Sequence, residues 1–335
     1  MGAIPVIALT GYLGAGKTTL LNHVLRSPGA RIGVVINDFG ELNVDAALVT
    51  GQVDEPASIA GGCICCLPDD GGLDEALAKL ADPRLGLDAI IVEASGLADP
   101  VAISRIIRFS GVDRIRPGGI VDVIDVTAHF DTVDDGNTPP ARYGAASLIV
   151  VNKLDQIPPE RRADALDRIE KRVRERNPDV HLVGAIAGQV DPALLYDVAD
   201  ADEGVGQLSF RELLVADAHH HVHADSVSAT SGGCIDPGAL VDLLEKPPAG
   251  VYRLKGVVSI RSGARGRNYV VNVVGTSVHI ATAPKPARTN SLVAIGTAFD
   301  VDDVRARMDA ALRPHDGPVP AAGMRRLQRY RRLSI

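Results

Sequence analysis

Gly11-Tyr12-Leu13-Gly14-Ala15-Gly16-Lys17-Thr18 is the stretch that decides the fold of this 335-residue chain. It fits the pattern G-x-x-x-x-G-K-[ST] in full, with an apolar run before it and a helical pattern after it. The pattern calls for glycine because backbone N–H groups must approach phosphate oxygens with no Cβ in the way. Lys17 would then reach the β- and γ-phosphates, and Thr18 would coordinate Mg²⁺. Gly11, Gly14, Ala15, Gly16, Lys17, Thr18 and Thr19 are the candidate phosphate-binding residues, Lys17 with a catalytic role as well.

Outward from this loop, apolar runs alternate with helical patterns over the first two hundred residues. That alternation predicts an α/β fold, a P-loop NTPase with a mostly parallel sheet flanked by helices. Strands are expected at Ile4–Thr10, Ile32–Asn37, Ala89–Glu93, Gly119–Asp125, Ser147–Asn152 and His181–Ala185. Helices are expected at Lys17–Arg26, Asp74–Leu80, Ala102–Phe109 and Arg161–Arg176. The Asp- and Gly-rich stretch Ala199–Gln207 reads as a boundary. The expected organisation is a P-loop domain over 1–200, a linker over 201–215 and a smaller C-terminal α+β domain over 216–335. In that second domain, strands are expected at Tyr252–Ile260, Tyr269–Val274, Ser277–Ile280 and Ser291–Gly296, with helices at Asp236–Glu245 and Val301–Ala311.

Bulk composition narrows the classes. The apolar fraction of 46% is that of a globular domain, and no apolar run approaches the roughly 18 residues needed to span a bilayer. Three of four cysteines lie bunched together, so a disulfide framework is not expected and a reducing cytoplasm is the natural setting. Net charge of −7 and 3% aromatics argue against nucleic acid as the main partner. The basic tail with Arg325, Arg326, Arg329, Arg331 and Arg332 is expected to be a solvated helix end or a frayed terminus.

Asn152-Lys153-Leu154-Asp155 follows the apolar run 147–151. At the end of a late strand in a P-loop domain, N-K-x-D recognises guanine. The Asp155 carboxylate can accept the N1–H and 2-amino protons that adenine does not present in that arrangement, and the Lys153 stem would lie along the base face. Glu93-Ala94-Ser95-Gly96 ends another strand, and would place Glu93 near the magnesium through water and the Gly96 amide near the γ-phosphate. Asn37-Asp38-Phe39-Gly40-Glu41 is the expected first switch, with Asp38 or Glu41 facing the metal or the attacking water. No glutamine is placed to orient that water, so slow intrinsic turnover is expected.

Between these elements lies Gly61-Gly62-Cys63-Ile64-Cys65-Cys66. In an extended segment Cys63 and Cys65 share a face, and the paired glycines let the backbone curl so that Cys66 converges with them. Three thiolates form a soft site suited to Zn²⁺ or Cu⁺ and poor for Mg²⁺. Glu41 is the candidate fourth ligand. A thiol redox switch pairing Cys63 with Cys66 is the competing expectation. His219, His221 and His223 would line one face of a strand and are candidate zinc ligands, set against an exposed polar segment. Cys234 is expected to be a core thiol.

Taken together the residues resemble the CobW-type family of P-loop GTPases, metal chaperones related to the nickel-handling hydrogenase and urease accessory GTPases. The likeness rests on 10–19, 37–41, 61–66, 93–100 and 152–155, and continues through Tyr252–Gly256 and Arg288–Val293. It implies GTP hydrolysis by the first domain with Mg²⁺, Zn²⁺ bound by the cysteines, and transfer of that metal to a client metalloprotein. A redox-sensing regulatory GTPase and a cobalt (Co²⁺) chaperone for a corrin or nitrile-hydratase pathway are the alternatives. No membrane partner is expected, and a homo-oligomer is one option for its assembly. Ala94 stands where many relatives carry Thr, and no histidine lies near Phe109-Ser110-Gly111 to form an auxiliary surface metal site.

Overall fold

The computed structural model describes residues 3–26, 30–37, 57–59, 71–96, 98–196, 224–262, 265–283 and 289–334. The chain divides into two compact units, Ala3–Val222 and His223–Ile335. The expected linker over 201–215 lies outside the described residues.

The first unit is built on a parallel sheet. Its strands are β1 (Ile4–Gly11), β2 (Ile32–Asn37), β3 (Ala57–Ile59), β4 (Ala89–Glu93), β5 (Ile115–Asp125), β6 (Leu148–Asn152) and β7 (His181–Gly184). They lie in the order β3-β2-β4-β1-β5-β6-β7, and every neighbouring pair is parallel. Strands β1, β4 and β6 are buried at every residue, because helices cover both faces of such a sheet. The helices are α1 (Lys17–Leu25), α2 (Gly71–Leu80), α3 (Pro100–Phe109), the single turn α4 (His129–Thr132) and α5 (Pro159–Arg174). One core joins Val6, Ala8, Ile90 and Val92 to Leu73, Leu77, Ile103 and Ile107 of α2 and α3. Another joins Ile149 and Val151 to Ile169 and Val173 of α5.

Expected strands and helices recur here with small shifts of boundary. Helix α3 starts two residues before its expected start, because Asp99 caps it: its carboxylate accepts the N–H of Val101, and Pro100 takes the first helical position. Strand β5 begins four residues before the expected Gly119, at Ile115, since pairing with β1 carries it through Pro117 and Gly118. The three-residue β3 has no expected counterpart, being too short to show a period.

The second unit pairs β8 (Asp225–Ser231), β9 (Val251–Ser262), β10 (Arg265–Val274), β11 (Ser277–Thr282) and β12 (Asn290–Gly296) in the order β11-β10-β9-β12-β8, all antiparallel. Its helices are α6 (Pro237–Glu245), α7 (Val301–Ala311) and α8 (Ala321–Leu333). Leu254, Val258 and Ile260 of β9 join Tyr269 and Val271 of β10, and Leu240 and Leu244 of α6, in one core. Two findings add to the expectation. Strand β8, reading Asp-Ser-Val-Ser-Ala-Thr-Ser, presents only Val227 and Ala229 to that core, too little apolar signal to read as a strand alone. Of the two expectations for the basic tail, the helix end holds and the frayed terminus does not. It forms helix α8, with Arg325, Arg329 and Arg332 exposed, and it is also seated on the core through fully buried Leu327, with Met324 and Tyr330 packed against the cluster.

Candidate nucleotide and metal site

Parallel pairing brings the carboxyl ends of β1, β4, β5 and β6 side by side, with Leu9 opposite Glu93, Gly11 opposite Val123 and Asp125 opposite Asn152. Strand order reverses about β1, and open α/β sheets take their ligands outside the carboxyl ends at such a point.

The loop after β1 is held open by glycine at three positions. Gly11, Gly14 and Gly16 have φ of 147°, 75° and 100°, a region costly for residues with a Cβ. A Cβ on Gly11 would stand 2.5 Å from the Val123 carbonyl oxygen, and one on Gly16 would stand 2.3 Å from Nδ2 of Asn152. The Lys17 ammonium folds back over this loop and donates to the carbonyls of Gly11 (3.1 Å) and Tyr12 (3.4 Å). Gly16, at the N-cap of α1, offers no side-chain cap, so the helix start presents backbone N–H groups to an anion.

Thr18 Oγ1 donates to Glu93 Oε1 at 2.8 Å, although 75 positions separate them in sequence. Glu93 is only 2% exposed, held at the end of β4 between β1 and β2. A hydroxyl and a carboxylate are hard oxygen donors of the kind Mg²⁺ takes, so this pair fits that ion. The turn after Glu93 is pressed onto the phosphate loop: a Cβ on Gly96 would stand 2.7 Å from the Leu13 nitrogen.

The N-K-x-D element divides its labour. Asn152 is 2% exposed and points inward, its Nδ2 donating to the Ala15 carbonyl (3.0 Å) and its Oδ1 accepting the Gly188 N–H (2.8 Å). It therefore ties the phosphate loop to the turn after β7, where Ala187 and Gly188 both have positive φ (50° and 69°). Lys153 also lies in the left-handed region (φ 64°) and donates to Asp125 Oδ2 at 2.6 Å. Asp155 is exposed in the short 3₁₀ turn Leu154–Gln156. The structure thus brings Gly11, Gly14, Ala15, Gly16, Lys17, Thr18, Glu93, Gly96 and Asn152 around one loop, with Thr19 in the first turn of α1. Lys153 and Asp155 lie at the end of β6. Asp38, Glu41, Cys63, Cys65, Cys66, His219, His221 and His223 fall outside the described residues.

Some members of the site are not evident in the sequence. Thr10 Oγ1 donates to Asp122 Oδ1 (2.7 Å), and Arg142 grips the same carboxylate through Nε (3.0 Å) and Nη2 (2.7 Å). Buried Thr10 and Asp122, with partly buried Arg142, lock β1 to β5 beneath the loop. Beside it a cavity of about 70 Å³ is lined by Tyr12, Leu13, Asp125, His129 and Arg142 among others. His129 is buried and hydrogen-bonded to the Tyr143 hydroxyl, which donates to Asp134 (2.9 Å), itself clamped by Arg172 through two bonds of 2.9 Å. Burial pushes the His129 pKa down to about 4, so its imidazole is neutral at pH 7. The partners in these networks are far apart in sequence, and only a strand-end aspartate marks Asp125 as a candidate.

A phosphate loop at the head of a parallel sheet, with an N-K-x-D element bonded to it, defines a P-loop nucleotide-binding protein carrying a second α+β unit. Residues 5–182 match the family model "CobW/HypB/UreG, nucleotide-binding domain" and residues 224–312 match "Cobalamin synthesis protein cobW C-terminal domain"; the chain belongs to this family. It is 29% identical over 346 residues to a Sinorhizobium protein called "Zinc chaperone CobW", covering 91% of this chain and 96% of that one. It is also 29% identical over 204 residues to the "Zinc chaperone YjiA" of Escherichia coli K12, covering 59% of this chain and 62% of that protein. The crystal structure of the Zn(II)-bound YjiA GTPase superposes with a TM-score of 0.43 at 21% identity, over 93% of this chain and all of that one. Among the described residues no helix is long and apolar enough to cross a membrane.

Proposed function

We propose that this protein is a GTP-hydrolysing metallochaperone that binds zinc at Cys63, Cys65 and Cys66 and passes it to a client metalloprotein. The observation that carries the nucleotide half is the 2.8 Å bond between Thr18 and Glu93. It supports a hard-cation site at the foot of the same loop to which Asn152 is bonded. Thr18 would hold Mg²⁺ directly and Glu93 would act through water. Bound there, the ion would neutralise charge on the β- and γ-phosphate oxygens. Lys17 would exchange the Gly11 and Tyr12 carbonyls for phosphate oxygens, and Asp155 would accept the guanine edge protons. Asp38 would face the attacking water.

The metal half is supported by the donor chemistry of Cys-x-Cys-Cys, with Glu41 as fourth ligand, and by the zinc-chaperone names of the relatives. His219, His221 and His223 would be an accessory zinc site in the same scheme. The cysteines lie in sequence between the 37–41 and 93–96 segments, so nucleotide state can bias the geometry of the thiolates. Linkage then requires zinc to change GTP affinity by the factor with which GTP changes zinc affinity. The test is zinc affinity measured without nucleotide, with GDP and with a non-hydrolysable GTP analogue, both with Mg²⁺. Affinities that differ at least fivefold between nucleotide states are expected for such coupling; equal affinities overturn the chaperone cycle. Tighter binding of cobalt than zinc in the same titration would favour the cobalt alternative.

A further inference from the structure

We infer that Asp125 is a positioning residue for the base site, acting through Lys153 without touching the nucleotide itself. This rests on the guanine-binding role proposed for Asn152–Asp155. Asn152 is fixed at both ends of its carboxamide, so the backbone entering Lys153 has little freedom. Lys153 then adopts φ +64°, a conformation that a side-chain-bearing residue keeps only when its surroundings impose it. In register, Asp125 of β5 is the direct neighbour of Asn152, so it stands one strand away from the lysine. The ammonium is received there at 2.6 Å.

The carboxylate that receives it is itself held by hydrogen bonds. Its Oδ1 accepts both the N–H (2.9 Å) and the hydroxyl (2.7 Å) of Thr127, leaving Oδ2 for Lys153. Burial alone would raise the Asp125 pKa. Lys153 and the two Thr127 donors outweigh it and hold the group below the ordinary carboxylate value, so it stays charged. A free lysine carries large rotamer entropy, which it must lose when its stem is laid along a base. With its head already anchored on Asp125, that loss is met in folding, and the stem is presented in one orientation. Asp155 would read the edge of the base; Asp125 would fix the face on which it rests.

The test compares full-length wild type with Asp125→Asn, Lys153→Met and the double variant, using binding of mant-GDP with Mg²⁺, competition by ADP, and steady-state GTP hydrolysis. Asparagine keeps the size of the side chain and an acceptor for Thr127, and removes the charge that holds the lysine. The expected result is a fivefold to tenfold weaker mant-GDP affinity for D125N, in line with one long side chain left to be ordered on binding. KM should rise with it while kcat stays within twofold, and D125N should add nothing further in the Lys153→Met background. Unchanged affinity for D125N, or an equal loss with and without Lys153, overturns the inference. A wild type that binds ADP as well as GDP overturns the guanine reading, and this inference with it. That outcome is distinct from a guanine-selective wild type whose D125N variant binds normally.

Discussion

Gly16 has φ +100°, and a Cβ there would stand 2.3 Å from the Asn152 carboxamide. Gly16→Ala would therefore strain the loop and break the tie between loop and N-K-x-D element at once. A loss of roughly 1–3 kcal/mol of stability is expected on chemical denaturation, with nucleotide binding abolished. Thr18 is a different case, since its hydroxyl faces the Glu93 carboxylate. Thr18→Ala should leave GDP binding in EDTA near the wild-type value while erasing the gain that Mg²⁺ brings; equal losses in both conditions would place Thr18 outside the ion site. His129 supplies a pH signature. Its folded pKa of about 4 lies below the ordinary 6.5, so its neutral form is favoured by folding and protons bind more tightly to the unfolded chain. Asp134, Asp122 and Asp125 pull the value up and Arg142 pushes it down, but desolvation dominates. Its contribution is complete above pH 6.5 and is lost as pH falls toward 4, with about 2 kcal/mol gone between pH 7 and pH 5. Urea unfolding at the two values measures this, and His129→Gln should flatten that share of the slope.

Helix α8 shows how a solvated helix end also becomes part of a core. Its charged residues conceal a stripe of Gly323, Leu327 and Tyr330 at helical spacing. A Cβ on Gly323 would stand 2.5 Å from the Gly238 nitrogen, so the helix meets α6 backbone to backbone. Arg326 bridges to Asp242 (2.7 Å) and Glu245 (2.6 Å) of α6, and Tyr330 donates to Glu245 (3.1 Å). Those ion pairs are substantially exposed, and worth under about 1 kcal/mol each. Leu327, with no exposed surface, carries the docking. Leu327→Ala is expected to cost about 2–5 kcal/mol, whereas Arg326→Ala should cost under about 1 kcal/mol. If Arg326→Ala proved the more destabilising in thermal melts, the helix would be held by charge. The end of α8 also guards the sheet edge, where Ser334 Oγ accepts the Ile280 N–H of β11 (3.0 Å).

On the scale of the molecule, charge is unevenly shared. Residues 223–335 hold 16 Lys and Arg against 9 Asp and Glu, a net +7, while residues 1–222 hold 19 against 33, a net −14. The chain-wide −7 therefore describes neither unit, and its weight against polyanionic partners applies to the first alone. Each unit has its own core, so ligands should act on one of them. GDP with Mg²⁺ at a hundred times its Kd should stabilise the first unit by about 2.7 kcal/mol. Calorimetry should show that transition rising while the one lowered by Leu327→Ala stays in place. A single transition shifted as a whole would show that the cores melt together. The sequence by itself determined the P-loop, the parallel α/β sheet, most of the strands and helices, and the family. Those features are written in local glycine spacing, in apolar periodicity and in motifs a few residues long. Only the tertiary structure decided that Asn152 faces Ala15 and Gly188, that Asp125 takes Lys153, that Asp122 joins Thr10 to Arg142, and that α8 belongs to a core. Most of these contacts join residues tens of positions apart, Thr10 and Asp122 by 112. They arise from sheet register and helix packing, and no local pattern encodes which distant side chain a fold will bring within 3 Å.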